Sequence, residues 1–209
     1  MKMFKKVLVL TLALTMAIAF CGCGSDKAAE ESTITVGIAQ DIEDSLDPHH
    51  AAAAGTREVL FNIFEGLVKP NSNGELIPAI ASEYSVDEEG KVYTFTLRDG
   101  VTFHNGEAVT VEDVKASIER NAGIGDGEAL VAAFSNIESV DTPDDKTVVI
   151  TLVTPDTDFI SNMTVAILPA DHLDETATDP IGTGPYKSVS RSPQENIILE
   201  AYDGYWGEK

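Results

Sequence analysis

The 209-residue sequence predicts an α/β fold built on a mixed sheet, and three observations lead there. In Lys91–Arg98, Tyr93, Phe95 and Leu97 alternate with Thr94, Thr96 and Arg98, the period-2 pattern of a half-buried antiparallel strand. From Arg57, the apolar residues Leu60, Ile63, Phe64 and Leu67 recur at helical spacing, with Val59 widening the stripe. Strand and helix patterns intermix without regular βαβ alternation, and no internal repeat is present.

The remaining elements follow in chain order. Thr33–Ala39 is rich in β-branched residues and reads as a strand, and Asp41–Pro48 reads as a polar turn region closed by Asp47-Pro48. Pro70 and Asn73-Gly74 end the helical stripe. Asp87–Gly90 supplies the turn before the alternating strand, and Asp99-Gly100 and Asn105-Gly106 flank the short segment Val101–His104. Thr110 has the chemistry of a helix N-cap, with Asp113 placed to complete a capping box. Val111, Val114 and Ile118 then give that helix its apolar face. Glycine-rich Asn121–Glu128 predicts a loop, and Ile137–Asp141 and Thr147–Val153 predict strands joined by a Pro-Asp-Asp turn. Asp156–Met163 reads as a short helix and Asn196–Ala201 as the last strand.

The N-terminus fixes an expected compartment. Lys2, Lys5 and Lys6 precede an apolar run from Val7 to Phe20, too short to span a bilayer comfortably and proportioned like a signal-peptide core. Cys21-Gly22-Cys23-Gly24 follows, then the small and charged stretch Ser25–Ser32, which suits a tether. A cysteine after a small residue at the end of such a leader resembles the bacterial lipobox. Cys23, preceded by Gly22, fits lipidation better than Cys21, which follows Phe20; the extra cysteine leaves the choice open. The expected organisation is a leader over 1–22, a tether over 23–32 and a folded lobe over 33–209. With both cysteines at the leader, no internal disulfide is expected.

Removal of the leader takes three of the 14 basic residues and none of the 35 acidic ones, moving the formal net charge from −21 to −24. That balance excludes nucleic-acid binding, which demands a basic surface. The acidic residues are dispersed, as solubility alone requires.

Ser45-Leu46-Asp47-Pro48-His49, Phe64-Glu65-Gly66-Leu67-Val68, Gly74-Glu75-Leu76-Ile77-Pro78 and Ala81-Ser82-Glu83-Tyr84 occur in that order. Tyr93–Val101 with Phe103-His104-Asn105-Gly106 follows, then Thr110–Val114, Gly182-Thr183-Gly184-Pro185-Tyr186 and Tyr205-Trp206-Gly207. From about Ile34 to the end, this ordered set resembles the family 5 extracytoplasmic solute-binding proteins of ABC importers, which include oligopeptide-, dipeptide- and nickel-binding lipoproteins. The resemblance implies the first lobe of a periplasmic-binding-protein-like (type II) fold, with an inserted subdomain over about residues 55–169. It also implies a second lobe that this sequence lacks.

The resemblance further implies a lipid-anchored, extracytoplasmic or periplasmic monomer that takes a peptide or similar small solute and docks on ABC permease subunits, without a cofactor. Ala52, Ala53 and Ala54 match positions whose backbone meets the peptide, or else form a small-residue lead-in to the helix. Thr183 and Gly184 either contact ligand or form a structural turn where the chain re-enters the first piece. The acidic group that meets a peptide's amino terminus in relatives lies in the missing lobe. Nickel chelates or another solute within the same family, a membrane-tethered interaction module, and an inactive fragment are the competing readings.

Catalytic chemistry finds no support. No nucleophile elbow, phosphate loop or dinucleotide fingerprint occurs. The histidines do not match a zinc pattern: adjacent His49 and His50 point to opposite sides of an extended backbone, and His104 and His172 lack nearby partners.

Overall fold

A computed structural model of the chain describes residues 33–38, 42, 45–125 and 127–207. The leader, Cys21, Cys23 and the tether lie outside the described residues. Two units divide the chain, residues 1–37 and 38–209. Thr33–Gly37 of the first unit and Ile38 of the second form neither helix nor strand, so the expected strand over Thr33–Ala39 does not form at its described positions. β-Branched residues favour a strand only when a neighbouring edge takes up the backbone donors and acceptors. Among the described residues no strand pairs with this segment.

In the second unit, Ala54–Leu60 forms a seven-residue helix, α1. Val68–Pro70 (β1) and Leu76–Pro78 (β2) make a small antiparallel ribbon. Ala81–Val86 (β3), Val92–Leu97 (β4), Ile137–Asp141 (β5) and Thr147–Leu152 (β6) form a four-stranded sheet of order β3-β4-β6-β5. Val111–Ala122 is helix α2, and Tyr186–Ser192 (β7) pairs with Asn196–Ala201 (β8). Short 3-10 helices cover Ala132–Asn136 and Phe159–Thr164, the latter where Asp156–Met163 was expected to be helical. Helix and sheet mix as expected, and each strand pairing among the described residues is antiparallel.

The alternation in β4 becomes a core face. Tyr93 sits opposite Ile150 and Phe95 opposite Val148, so the apolar residues of both strands share one side of the sheet. Val114 and Ile118 of α2 join them in one buried cluster with Phe134 and Phe159. Tilted ring contacts at 5.5 Å (Tyr93–Phe159) and 5.9 Å (Phe134–Phe159) lock that layer.

Helix α2 begins with the predicted capping box. The Thr110 hydroxyl accepts the Asp113 N–H at 3.3 Å, and the Asp113 carboxylate accepts the Thr110 N–H at 2.8 Å, an arrangement worth about 1 kcal/mol. The other oxygen of Asp113 accepts the Ala170 N–H at 2.8 Å, so the cap also moors the chain that follows the second 3-10 helix. Gly123 ends α2 in the left-handed region at φ 68°, two residues later than the expected loop start at Asn121.

The apolar stripe from Leu60 to Leu67 is corrected by the structure. Helix α1 stops at Leu60, three residues before Ile63. Leu60, Ile63 and Phe64 join a second core with Leu46, Ala166 and Leu168, whereas Leu67 belongs to the sheet core. One helical face cannot serve two cores, so the chain leaves the helix and crosses between them. Gly66 lies in that crossing, where an added Cβ would meet the Met163 carbonyl oxygen at 2.5 Å. Ile197 and Leu199 of β8 pack against the second core.

Candidate functional site

Three polar networks hold the segments that the sequence singled out. The first begins at the turn before Ala52. Asp47 is buried, its Oδ1 accepts the His49 N–H at 2.9 Å, and its two oxygens take a bidentate pair of bonds from Arg120 of α2 at 3.1 and 2.6 Å. Arg120 Nη1 also reaches His49 Nδ1 at 3.0 Å. Arginine only donates, so Nδ1 accepts and the imidazole proton sits on Nε2, which donates to the Ala166 carbonyl at 2.8 Å. Asp47, His49, Arg120 and Ala166 thus join three distant stretches of chain.

The electrostatics follow from this geometry. Burial alone would raise the Asp47 carboxyl, but the Arg120 guanidinium and the His49 amide outweigh it and hold it below the usual carboxylate range. Burial pushes His49 down to about 4, opposed by the Ala166 carbonyl and reinforced by Arg120. His49 is therefore neutral at neutral pH. His50, next in the chain, is exposed; the pair lies on a turn and not on the expected extended backbone, and His50 Nε2 comes within 4.0 Å of Asp47 Oδ2.

Beyond this turn lie Ala52, Ala53 and Ala54. Ala53 is the N-cap of α1, extended at φ −70° and ψ 137° and half-buried, while Ala52 and Ala54 are exposed. Arg57 Nε donates to the Ala51 carbonyl at 2.9 Å and braces the approach to the helix.

The second network surrounds Thr183 and Gly184, both buried. Gly184 N–H donates to the Ile63 carbonyl at 2.8 Å and Tyr186 N–H to the Asn62 carbonyl at 3.1 Å. An added Cβ would lie 2.1 Å from Ile63 O at Gly182 and 2.5 Å from Asn62 O at Gly184, so only glycine permits this approach. The Thr183 hydroxyl is buried without a hydrogen-bond partner among the described residues. The structure does not bring this pair beside the alanines. Gly184 meets the chain after the C-terminus of α1, and Ala52–Ala54 lead into its N-terminus, roughly 10 Å of helix away.

The third network was not anticipated. Glu65 is buried, and its Oε1 accepts from Lys69 Nζ and from the Tyr205 hydroxyl, each at 2.9 Å. Its Oε2 accepts from the Trp206 indole at 2.7 Å. Lys69 and Arg98 lie over the Trp206 ring at 4.6 and 4.3 Å. Burial lowers the Lys69 ammonium's proton affinity, but the bonds to Tyr205 and Glu65 prevail and leave its pKa raised. A charged residue inside the apolar run Phe64–Val68 was the available signal, because a buried charge demands partners. Nothing in the sequence named Tyr205 and Trp206, about 140 residues away, as those partners.

Comparison with known proteins agrees with this architecture. The description of bacterial extracellular solute-binding proteins, family 5, middle region, matches residues 75–209. A glutathione-binding protein of Pectobacterium atrosepticum is 32% identical over 86% of this chain and 36% of its own length. A binding protein of A. tumefaciens R10, solved in complex with agropinic acid, is 33% identical with a TM-score of 0.73, over 78% of this chain and 35% of that one. The ABC transporter-associated periplasmic binding protein of Helicobacter pylori, in complex with the peptide STSA, is 29% identical with a TM-score of 0.72. That match covers 81% of this chain and 39% of that one. The chain thus spans about a third of the length of the relatives it matches, and these relatives are solute-binding proteins rather than enzymes. The chain belongs to the bacterial extracellular solute-binding proteins of family 5, corresponds to an N-terminal portion of them, and shares their type II periplasmic-binding-protein fold.

Proposed function

We propose that this chain is the first lobe of the substrate-binding component of an ABC importer for peptides, anchored to the cell membrane by lipid on Cys23. The observation behind the ligand reading is the braced run Ala52–Ala54. Its side chains are small, its backbone is extended at Ala53, and Asp47, His49 and Arg120 fix the turn before it. An extended protein segment pairs with a peptide backbone irrespective of the peptide's side chains, and small residues leave room for them. Relatives that bind glutathione or the peptide STSA support a peptide ligand, and the relative in complex with agropinic acid supports the second reading, another small solute. In this reading Thr183 and Gly184 stand behind the wall and fix the far end of α1.

A site formed by two lobes encloses most of its ligand, so one wall holds a peptide weakly. Titration of the 209-residue chain with Ser-Thr-Ser-Ala, followed by amide chemical shifts, is expected to perturb Ala52–Ala54 with a Kd of about 1 mM or weaker. Micromolar binding, or perturbation that leaves those three residues unmoved, removes the wall from the reading.

The anchor has its own test. In a bacterial host, Cys23→Ser is expected to move the protein from the membrane pellet to the soluble fraction, with Cys21→Ser leaving it in the pellet. The reverse pattern would transfer lipidation to Cys21.

A further inference from the structure

We propose that His104 is a positioning residue for the ligand wall, and that its neutral imidazole pins the two glycines on either side of Thr183. Three bonds from this residue reach that segment. His104 N–H donates to the Gly182 carbonyl at 2.9 Å, Nε2 meets the Gly184 carbonyl at 3.0 Å, and Gly182 N–H donates to Nδ1 at 3.3 Å. A carbonyl only accepts and an amide N–H only donates, so the proton sits on Nε2 and Nδ1 is bare. The opposite tautomer would set donor against donor at Gly182 and acceptor against acceptor at Gly184.

The pinned segment leads to α1. Gly182 and Gly184 press on the Ile63 and Asn62 carbonyls without space for a side chain, and Asn62 Nδ2 donates to the Glu58 carbonyl within α1 at 2.8 Å. His104 therefore holds the end of the helix whose beginning carries Ala52–Ala54. This role rests on the wall proposed above, but its geometry is measurable without any ligand.

Protonation of Nδ1 removes the acceptor for Gly182 N–H and places two donors face to face. Tyr202 stands edge-on to the imidazole at a centroid distance of 5.0 Å and is itself tied to the Phe103 carbonyl at 2.7 Å. Lys187 and Glu65 are the charged groups that act on the ring, the first disfavouring its protonation and the second favouring it. Burial outweighs both Glu65 and the Gly184 carbonyl and keeps the imidazole below the ordinary histidine range. The pin is thus intact at neutral pH and opens in acid.

Nitrogen-15 NMR of the 209-residue chain, with hydrogen exchange at assigned amides, tests this. At pH 7.5 His104 is expected to show a protonated Nε2 and an unprotonated Nδ1. As the ring titrates, the protection factor of the Gly182 amide falls about tenfold, the loss of one hydrogen bond, with the same midpoint. In His104→Gln, whose amide still donates toward Gly184, protection is expected not to vary over that range. A proton on Nδ1 at pH 7.5, or Gly182 protection that ignores the titration of the wild-type ring, overturns the proposal. Because both readouts precede ligand addition, loss of peptide binding alone would count against the wall and not against the pin.

Discussion

Arg120→Met lowers the stability of the folded chain by about 3–5 kcal/mol, measured by urea denaturation at pH 7. The size comes from what the substitution leaves behind. The Asp47 side chain is 5% exposed and that of Arg120 21% exposed, so their bidentate pair is largely removed from water. Methionine keeps much of the arginine's apolar volume but strands a buried carboxylate and removes the donor to His49 Nδ1. Asp47→Asn in the same background relieves the stranded charge, so the double variant is expected to be more stable than Arg120→Met alone. A loss under about 1 kcal/mol for Arg120→Met would put the pair in the class of surface ion pairs, with water reaching Asp47 freely. The same variant tests the wall, since the Asp47 turn sets the path of the chain into Ala52–Ala54.

The parts of this fold that were legible in the sequence are those whose pattern is local and long enough to repeat. β4 alternates over six residues, α2 opens on a complete capping box, and β5 and β8 fall where their β-branched and apolar runs place them. β1 and β2 are three residues each, both ending in proline, and no periodicity exists over such a length. β7 reads YKSVSRS, a polar string that becomes a strand only because β8 pairs with it. The helical stripe misled because Ile63, Phe64 and Leu67 are apolar for the sake of two cores, not one helix face.

The candidate site divides in the same way. Short motifs marked Asp47, Glu65, His104 and Gly184 as parts of a familiar order, but their bonds span 71 to 141 residues of chain wherever they cross between motifs, 78 and 80 of them at His104. A pairing over such a separation leaves no periodicity behind; only the need of a buried charge for a partner is visible beforehand. His49 illustrates the limit. Its neighbour His50 has the same side chain, and nothing but the packing of Ala166 and Arg120 decides which ring is buried.

That burial makes the folded chain acid-sensitive by about 3 kcal/mol through His49 alone. In the fold its pKa is depressed to about 4 from the ordinary 6.5. The unfolded chain therefore takes up the proton first, and acid favours unfolding. The stability contributed by the neutral ring is complete above about pH 6.5, declines as pH falls toward 4, and is constant below that. Asp47 acts later and in the same direction: its carboxyl is held below the model-compound value of 3.8, so its contribution is present above that pH and lost beneath it. His104, also depressed, adds to the first limb. Urea denaturation at a series of pH values from 8 to 4 should show the decline, and His49→Gln should flatten most of it. An unchanged slope in that variant would assign the acid loss to other groups. Burial sets the direction and one bond reinforces it, because Arg120 occupies Nδ1 as a donor and a second proton can enter the ring only by displacing the guanidinium that also neutralises Asp47.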